Sequence, residues 1–534
     1  MSITSTEANN RRLPIRLSTR GVVTGVAALF LVIISALPIV WMLVISLTNI
    51  EGSFSLENYR RLLGESRRVG LLGSSALLSA TAAALATMIG APMGLMFARA
   101  DFPAKRFFRI ALTVPLIVPP YVMGLAWIYA GGSSGIVARV TGRDLLSPLT
   151  YSLAGAIIVL SVCFYPLSML ATEAAARRVD ASLEEAALLV ASPRQVLWRI
   201  TLPLIAPSVA AAALIIFALA LSEFGVPGLL RARVFTTEIF TAFSALYDFG
   251  AATALAVPML GLALAAGILA RLLIGERLLV GRRGARLAQA RSSHRAVIIV
   301  SLAAFTLVAL PLVALAFEVG QAGRIFHAAR SSAGAIINSL LISSISATLC
   351  ALIGTVIGYA RARMRARGLI DLALIVAFAA PSTVTGVGLI GLWNRPGLME
   401  EVYRSSAIIV IACVARFAPL AAIILAASAR QMPASFEEAA EVAGGGWVRI
   451  FARIVIPQMR AGIVAAWVVS FIFAFGELGA TALVIPPGES TLPVRIYTLI
   501  ANSPSSEVAA LALMQSCVVI AMLASLSIIE KRLQ

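Results

Sequence analysis

Few side chains in this sequence have both the type and the spacing for chemistry. The four cysteines (Cys163, Cys350, Cys413 and Cys517) each sit inside an apolar run, and the only histidines are His294 and His327. With no Cys-x-x-Cys pair and no Cys/His cluster, neither a zinc site nor a disulfide framework has its partners, so the cysteines read as packing residues. A phosphate-binding loop of the Walker type needs a lysine directly after a glycine. The only lysines, Lys105 and Lys531, follow Ala104 and Glu530. Gly386-Val387-Gly388-Leu389-Ile390-Gly391 spells a dinucleotide fingerprint, yet it lies in an apolar run with no strand before it and reads as a surface for close helix packing. What remains is charge. Two Glu-Ala-Ala segments occur, Glu185-Ala186-Ala187 and Glu438-Ala439-Ala440, together with Glu223, Arg416 and Glu477 in or beside apolar runs. Such groups perform no covalent chemistry here; they pair with a partner protein, with one another, or with a solute on its path.

The elements that position these charges follow from composition. Of 534 residues, 60% are hydrophobic and 13% charged, with a mean hydropathy of +0.94. A soluble domain carries nearer a quarter charged residues. The chain therefore needs lipid as solvent, which excludes a soluble enzyme, a disordered protein and a secreted disulfide scaffold. Runs long enough to cross roughly 30 Å of hydrocarbon as helix lie near 21–47, 70–98, 107–130, 151–174, 204–222 and 251–274, then near 296–317, 336–360, 369–393, 405–428, 458–475 and 507–529. Membrane strands would alternate polar and apolar residues, and these runs do not. The expected fold class is an all-α polytopic membrane protein of about twelve transmembrane helices.

The net charge of +18 comes from 43 Lys+Arg against 25 Asp+Glu. Residues 1–20 form a basic leader with Arg11, Arg12, Arg16 and Arg20, ahead of a first run too long for a signal-peptide core of about 7–15 residues; it reads as a signal anchor. Residues 275–295 form a basic linker whose only acid is Glu276. With both termini inside, the cytoplasmic segments hold more than twice the Lys+Arg of the outer ones, as the positive-inside rule demands. The charge thus belongs to membrane topology, and no nucleic-acid partner is implied.

The two halves repeat each other. Gly90 and Gly94 match Gly354 and Gly358, 264 positions on; Pro119 and Gly124 match Pro381 and Gly386; Ser222-Glu223-Phe224-Gly225 matches Gly476-Glu477-Leu478-Gly479. Six spans per copy, an even number, leave two parallel units, 21–274 and 296–534, around a pseudo-two-fold along the membrane normal. A path for solute is expected between them.

The third cytoplasmic loop of each unit is the most informative stretch. Residues 180–203 read DASLEEAALLVASPRQVLWRITLP, and 433–457 read PASFEEAAEVAGGGWVRIFARIVIP. Ser182-x-x-Glu185 and Ser435-x-x-Glu438 have the spacing of capping boxes, and the alanines that follow leave a smooth face. Gly444, or Ala191 in the first unit, stands where the helix must turn. Ser192-Pro193 has the pattern of an N-cap and first helical residue, and Pro203 and Pro457 are expected to close each element before the next span. The product is a short bent helix pair on the cytoplasmic surface.

These segments resemble the EAA loop of ABC-importer permeases, in which Glu-Ala-Ala is followed by three residues, Gly, nine residues and Ile-x-Leu-Pro. The second unit fits from Glu438-Ala439-Ala440 through Gly444 to Ile454-Val455-Ile456-Pro457; the first fits from Glu185-Ala186-Ala187 to Ile200-Thr201-Leu202-Pro203, with Ala191 for the glycine and one residue fewer. The resemblance implies that each half is a permease unit and that the chain is a fused pair in a bacterial inner membrane. It implies that two copies of an ATP-binding subunit dock on the loops, and that a periplasmic binding protein delivers the substrate. ATP and magnesium then belong to the partner ATPase, with no cofactor in this chain.

Glu223-Phe224-Gly225-Val226-Pro227, Arg416-Phe417-Ala418-Pro419-Leu420 and Gly476-Glu477-Leu478-Gly479-Ala480-Thr481 make the chain most similar to the ferric-iron permeases. Thiamine and aminoethylphosphonate permeases share the fused layout. The resemblance places Glu223, Arg416 and Glu477 on the substrate path or its gate. On the residues alone, Arg416 could equally serve a buried ion pair, and the two glutamates could be solvated carboxylates. The rival class is an ion-coupled secondary transporter, which would want acids or histidines within its spans and leaves the duplicated loops without a purpose.

Overall fold

Runs of apolar residues leave the backbone one way to satisfy its N–H and C=O groups in lipid, which is within helices. The computed structural model describes residues 19–48, 53–274, 294–363 and 368–533. The leader 1–20, but for its last two residues, and the linker 275–295, but for its last two, lie outside the described residues. The chain is an all-α polytopic membrane protein, with no strand among the described residues beyond one isolated bridge, Thr48–Phe54.

Among the described residues ten helices are long and apolar enough to cross a membrane, or eleven if the pair Trp447–Gln458 and Arg460–Phe475, bent by 72°, is one span. Two of the twelve expected spans are not continuous helices. The run at 107–130 is built from Lys105–Ala111, Val114–Ile117 and Pro120–Gly131, and the run at 369–393 from Gly368–Ala379 and Ser382–Trp393. Beyond a short interruption at Leu112–Thr113, the break in each run falls at the repeated proline, Pro119 or Pro381, in extended conformation with ψ of 134° and 151°. Proline lacks the N–H that would continue the ladder and forces its predecessor out of the helical region. Hydropathy alone does not register either break.

The glycine repeat sets how closely the helices approach. In the first unit, Ser66–Arg99 crosses Leu153–Ala176 so tightly that a Cβ on Gly90 would lie 2.3 Å from the Tyr165 carbonyl oxygen, and one on Gly94 2.2 Å from that of Met169. In the second unit, Gly354 and Gly358 of Ala333–Arg363 meet Ala421, Ala422 and Ala426 of Ala407–Gln431 in the same way. Ser75 and Ser339, again 264 apart, accept the first amides of the short helices Phe235–Ser244 and Leu492–Asn502 at 2.8 and 2.6 Å. Two parallel six-helix repeats are thereby visible contact by contact.

The units are interlocked through their first spans. Thr19–Leu31 and Leu37–Ser46, joined by one widened turn, pack on the second unit: Ser35 donates to the Ala415 carbonyl at 2.9 Å, and Gly388 abuts the Pro38 backbone. His294–Val319, the first span of the second unit, packs in turn on Pro120–Gly131 of the first. Gly386, Gly388 and Gly391 are therefore contact glycines within a buried helix, against Leu483, Pro38 and Ile45. Each of the two large apolar cores draws on both halves, one joining Leu160 to Phe471 and the other Met42 to Leu425.

Gly94→Leu should cost about 1–3 kcal/mol through overpacking and lower the thermal midpoint of the detergent-solubilised chain. Gly73→Leu, on the same helix with nothing within 4 Å of its Cβ position, should leave it unchanged. Equal midpoints for the two variants would contradict the packing described.

Candidate functional site

The two loops start differently from the expected capping boxes. Ala181–Leu188 is capped by Asp180, whose Oδ1 accepts the Ser182 amide at 3.0 Å, so Ser182 lies inside the helix. Ser435–Val442 has Ala434 at its cap, with no side-chain cap bond. Neither Glu185 nor Glu438 folds back on its own helix. Both are exposed, as are Ala186 and Ala439, while Ala187 and Ala440 are half-buried. Neither carboxylate has a partner among the described residues.

The preceding glutamate of each loop does the opposite. Glu184 and Glu437 are 3% and 8% exposed. Glu184 accepts from Arg99 and from Thr201, and Arg99 also donates to Thr201 at 2.7 Å. Glu437 accepts from Arg363 at 2.7–2.8 Å and from Tyr359. Arg99 and Arg363 are the last residues of the second and eighth spans. Each loop is thus tied to the end of the second or eighth span by a charge-assisted bond to a buried carboxylate. The sequence held a signal for this, because Arg99 and Arg363 share the 264-residue offset of the contact glycines.

The turns differ where the sequence differs. Gly444 has φ of +81°, and the amides of Gly444 and Gly445 reach back to the carbonyls of Glu441 and Ala440, both at 2.9 Å; this is the left-handed helix end that favours glycine. In the first unit the Ala187 carbonyl takes the amides of Val190 and Ala191 at 3.1 and 2.9 Å, with no residue in the left-handed region, so Ala191 fits there. Ser192 and Gln195 form the one capping box of these loops, opening Pro193–Val196. Pro203 does not close an element: helix continues from Pro193 to Ser222 through a widened turn at Leu197–Thr201. In the second unit the break comes just after Pro457, at Met459. Apolar tips remain uncovered, with Val190 89% and Val442 91% exposed.

At the far end of the fifth and eleventh spans the three remaining charges meet. Glu223 follows Leu202–Ser222, and its Oε1 accepts the amides of Gly225 and Val226 at 2.9 and 3.3 Å. Glu477 follows Arg460–Phe475, and its Oε1 accepts the Ala480 amide at 2.9 Å while Oε2 is bonded by Arg416. Both carboxylates thus tie the turns that follow their spans, as the repeat predicts. Sequence reasoning missed the polar seam around them. Ser382, first residue of the resumed ninth span, donates its amide and hydroxyl to Ser222 at 2.9 and 3.0 Å. Tyr121, opening the resumed third span, donates to Gln515, which donates to the Phe475 carbonyl at 2.9 Å. The proline breaks place these groups where the two units touch.

Comparison with known proteins agrees with this architecture. Residues 87–276 match the family described as binding-protein-dependent transport system inner membrane component. The chain is 24% identical over 463 residues to an Fe(3+)-transport system permease protein of Haemophilus influenzae, covering 82% of this chain and 85% of that one. It is 25% identical over 471 residues to a ferric transport system permease protein of Actinobacillus pleuropneumoniae, covering 81% and 67%. A molybdenum transport system permease protein of Escherichia coli is 32% identical over 154 residues, 28% of this chain and 67% of that protein.

The loop anchors make a direct prediction. Glu437→Gln should cost about 3–5 kcal/mol locally, since it leaves Arg363 buried beside a neutral group, and amide exchange across 435–442 should accelerate. The double variant R363M/E437M should recover most of the protection. Exchange as fast in the double variant as in the single one would argue against the anchor.

Proposed function

The chain belongs to the family of binding-protein-dependent transport system inner membrane components, and on that premise we propose that it is the fused, two-unit permease of an importer that carries ferric iron inward. A periplasmic binding protein hands the cargo to the outer end of the seam. Two copies of an ATPase subunit dock on the loops 180–203 and 433–457, and their closure switches access to the path between the units. ATP and magnesium act in that partner. Both termini and both loops lie on the cytoplasmic side.

One observation carries the docking role: Glu185 and Glu438 stand exposed and unpaired at the start of rigidly anchored helices, beside bare apolar tips. An exposed acid flanked by apolar surface suits a partner groove with a basic residue. Residues Glu185, Ala186, Ala187, Ala191 and Pro203, with Glu438, Ala439, Ala440, Gly444 and Pro457, form the two docking elements. Glu223, Arg416 and Glu477 line the path at the seam. Iron as cargo is supported by the extent of likeness. The ferric permeases align over more than four-fifths of this chain, the molybdenum permease over 28%. Hard ferric ions also prefer oxygen donors, and the seam offers carboxylates and hydroxyls.

Cells lacking this chain should lose binding-protein-dependent uptake of radiolabelled ferric iron. Normal iron uptake with lost uptake of thiamine, aminoethylphosphonate or molybdate would refute the cargo assignment. The double variant E185K/E438K should stay in the membrane, fail to copurify with the ATPase, and lower uptake at least about tenfold. Unchanged uptake in that variant would remove the docking assignment.

A further inference from the structure

The three seam charges do not balance, and the imbalance has a structural origin. Glycine contacts fix the alignment of the fourth and tenth spans. Gly90 meets Ser168 and Met169 where Gly354 meets Ala421 and Ala422, and Gly94 meets Thr172 and Glu173 where Gly358 meets Leu425 and Ala426. The same alignment sets Phe164 and Pro166 opposite Phe417 and Pro419, and it puts Cys163 at the position of Arg416. The repeat thus supplies two carboxylates and one guanidinium. Arg416 bonds Glu477. Glu223 has Cys163 nearby instead of a second arginine, and faces Arg416 only across the seam. Its Oε1 is held by two amides, and its Oε2 has no hydrogen-bond partner among the described residues.

Glu223 also lines a crevice with Ser75, Ser79 and Thr236, too tight in this state to admit a water molecule. Set among apolar side chains such as Leu78 and Val234, the crevice's oxygens are the carboxylate and three hydroxyls that each donate to a backbone carbonyl and keep a lone pair. A carboxylate that shares its one arginine with a second carboxylate, and leaves one oxygen without a hydrogen bond, is stabilised by a cation or a proton, and oxygen donors suit hard cations.

We propose that Glu223 is the cargo-facing carboxylate of the path, the group that a hard, oxygen-preferring cation meets as it crosses the seam, and that the Arg416–Glu477 pair is the fixed wall opposite it. This deepens the reading of the chain as a ferric-iron permease and rests on it. With one carboxylate in the crevice and no second acid beside it, the cargo is held weakly enough to move on. Inserting an arginine at the first unit's vacant position would close the site by balancing its charge.

The test is uptake of radiolabelled ferric citrate by cells carrying the chain with its binding protein and ATPase, with the amount of chain in the membrane measured alongside. Glu223→Gln keeps an oxygen for the Gly225 and Val226 amides, so the turn is preserved while the charge is lost. It should lower maximal uptake at least about tenfold and leave half-saturation, set by the binding protein, in place. Glu223→Asp should recover most of the rate. Cys163→Arg should abolish uptake with every carboxylate retained; if that chain is absent from the membrane, the Gln and Asp variants decide. Uptake in Glu223→Gln within about twofold of wild type overturns this inference alone. Absence of iron uptake with the wild-type chain overturns the cargo reading and this inference together.

Discussion

A charge facing hydrocarbon without a partner costs at least about 2.5–3.5 kcal/mol on insertion scales, and the fold is organised around meeting that cost. Glu184 is held by Arg99 and Glu437 by Arg363. Glu173 sits between Arg109 and Arg177, and Asp371 between Arg271 of the first unit and Arg361 of the second. Glu477 is held by Arg416. These pairs join helix ends that apolar packing alone would leave free to slide. The loops are fastened to the second and eighth spans, the broken ninth span to its neighbours, and the seam to itself. Among the described residues, three acids of the repeated motifs have no ion pair of their own: Glu185 and Glu438 on the loops, and Glu223 at the seam, which is held by two amides.

Duplication supplies the framework, and departures from it supply the individuality of each half. Contact glycines, anchoring arginines, seam glutamates and the serines that cap the short helices Phe235–Ser244 and Leu492–Asn502 all recur. The loop turn does not recur, since Gly444 takes a left-handed conformation that Ala191 avoids through a different hydrogen-bond pattern. The arginine of the tenth span does not recur either, and Cys163 replaces it. The two loops thus end in different turns, and the seam between the halves holds two glutamates but a single arginine.

Much of this was legible in the sequence, and the reasons for success and failure differ. Span positions follow from length and hydropathy, and Gly90, Gly94, Gly354 and Gly358 announced close packing because the same spacing occurs twice. Gly444 announced its turn because few other residues tolerate that backbone. The seam acids were found because an acid beside an apolar run is rare. Glu184 and Glu437 were passed over in favour of their neighbours. A Glu-Glu pair does not say which carboxylate turns inward, and the partner arginine lies about 80 residues away. The expected capping boxes failed because Asp180, two residues earlier, is the cap, and because Ser435 sits one residue too late. The proline breaks were hidden inside runs whose hydropathy stays high on both sides.

Anchored loops make a mechanical link. Under the proposed docking, a pull on Glu185 or Glu438 would pass through Glu184–Arg99 or Glu437–Arg363 into the second and eighth spans. A ligand can shift such an equilibrium only by contacting the two states differently, so the proposed docking requires ATP binding in the partner to change the separation of the loops. The most direct measurement is the distance between spin labels at the exposed tips, Val190 and Val442, in the complex with the ATPase subunits. The account predicts that ATP shortens this distance, and that R363M, which frees one loop from its span, uncouples the shortening from uptake. A distance unchanged by ATP would contradict it.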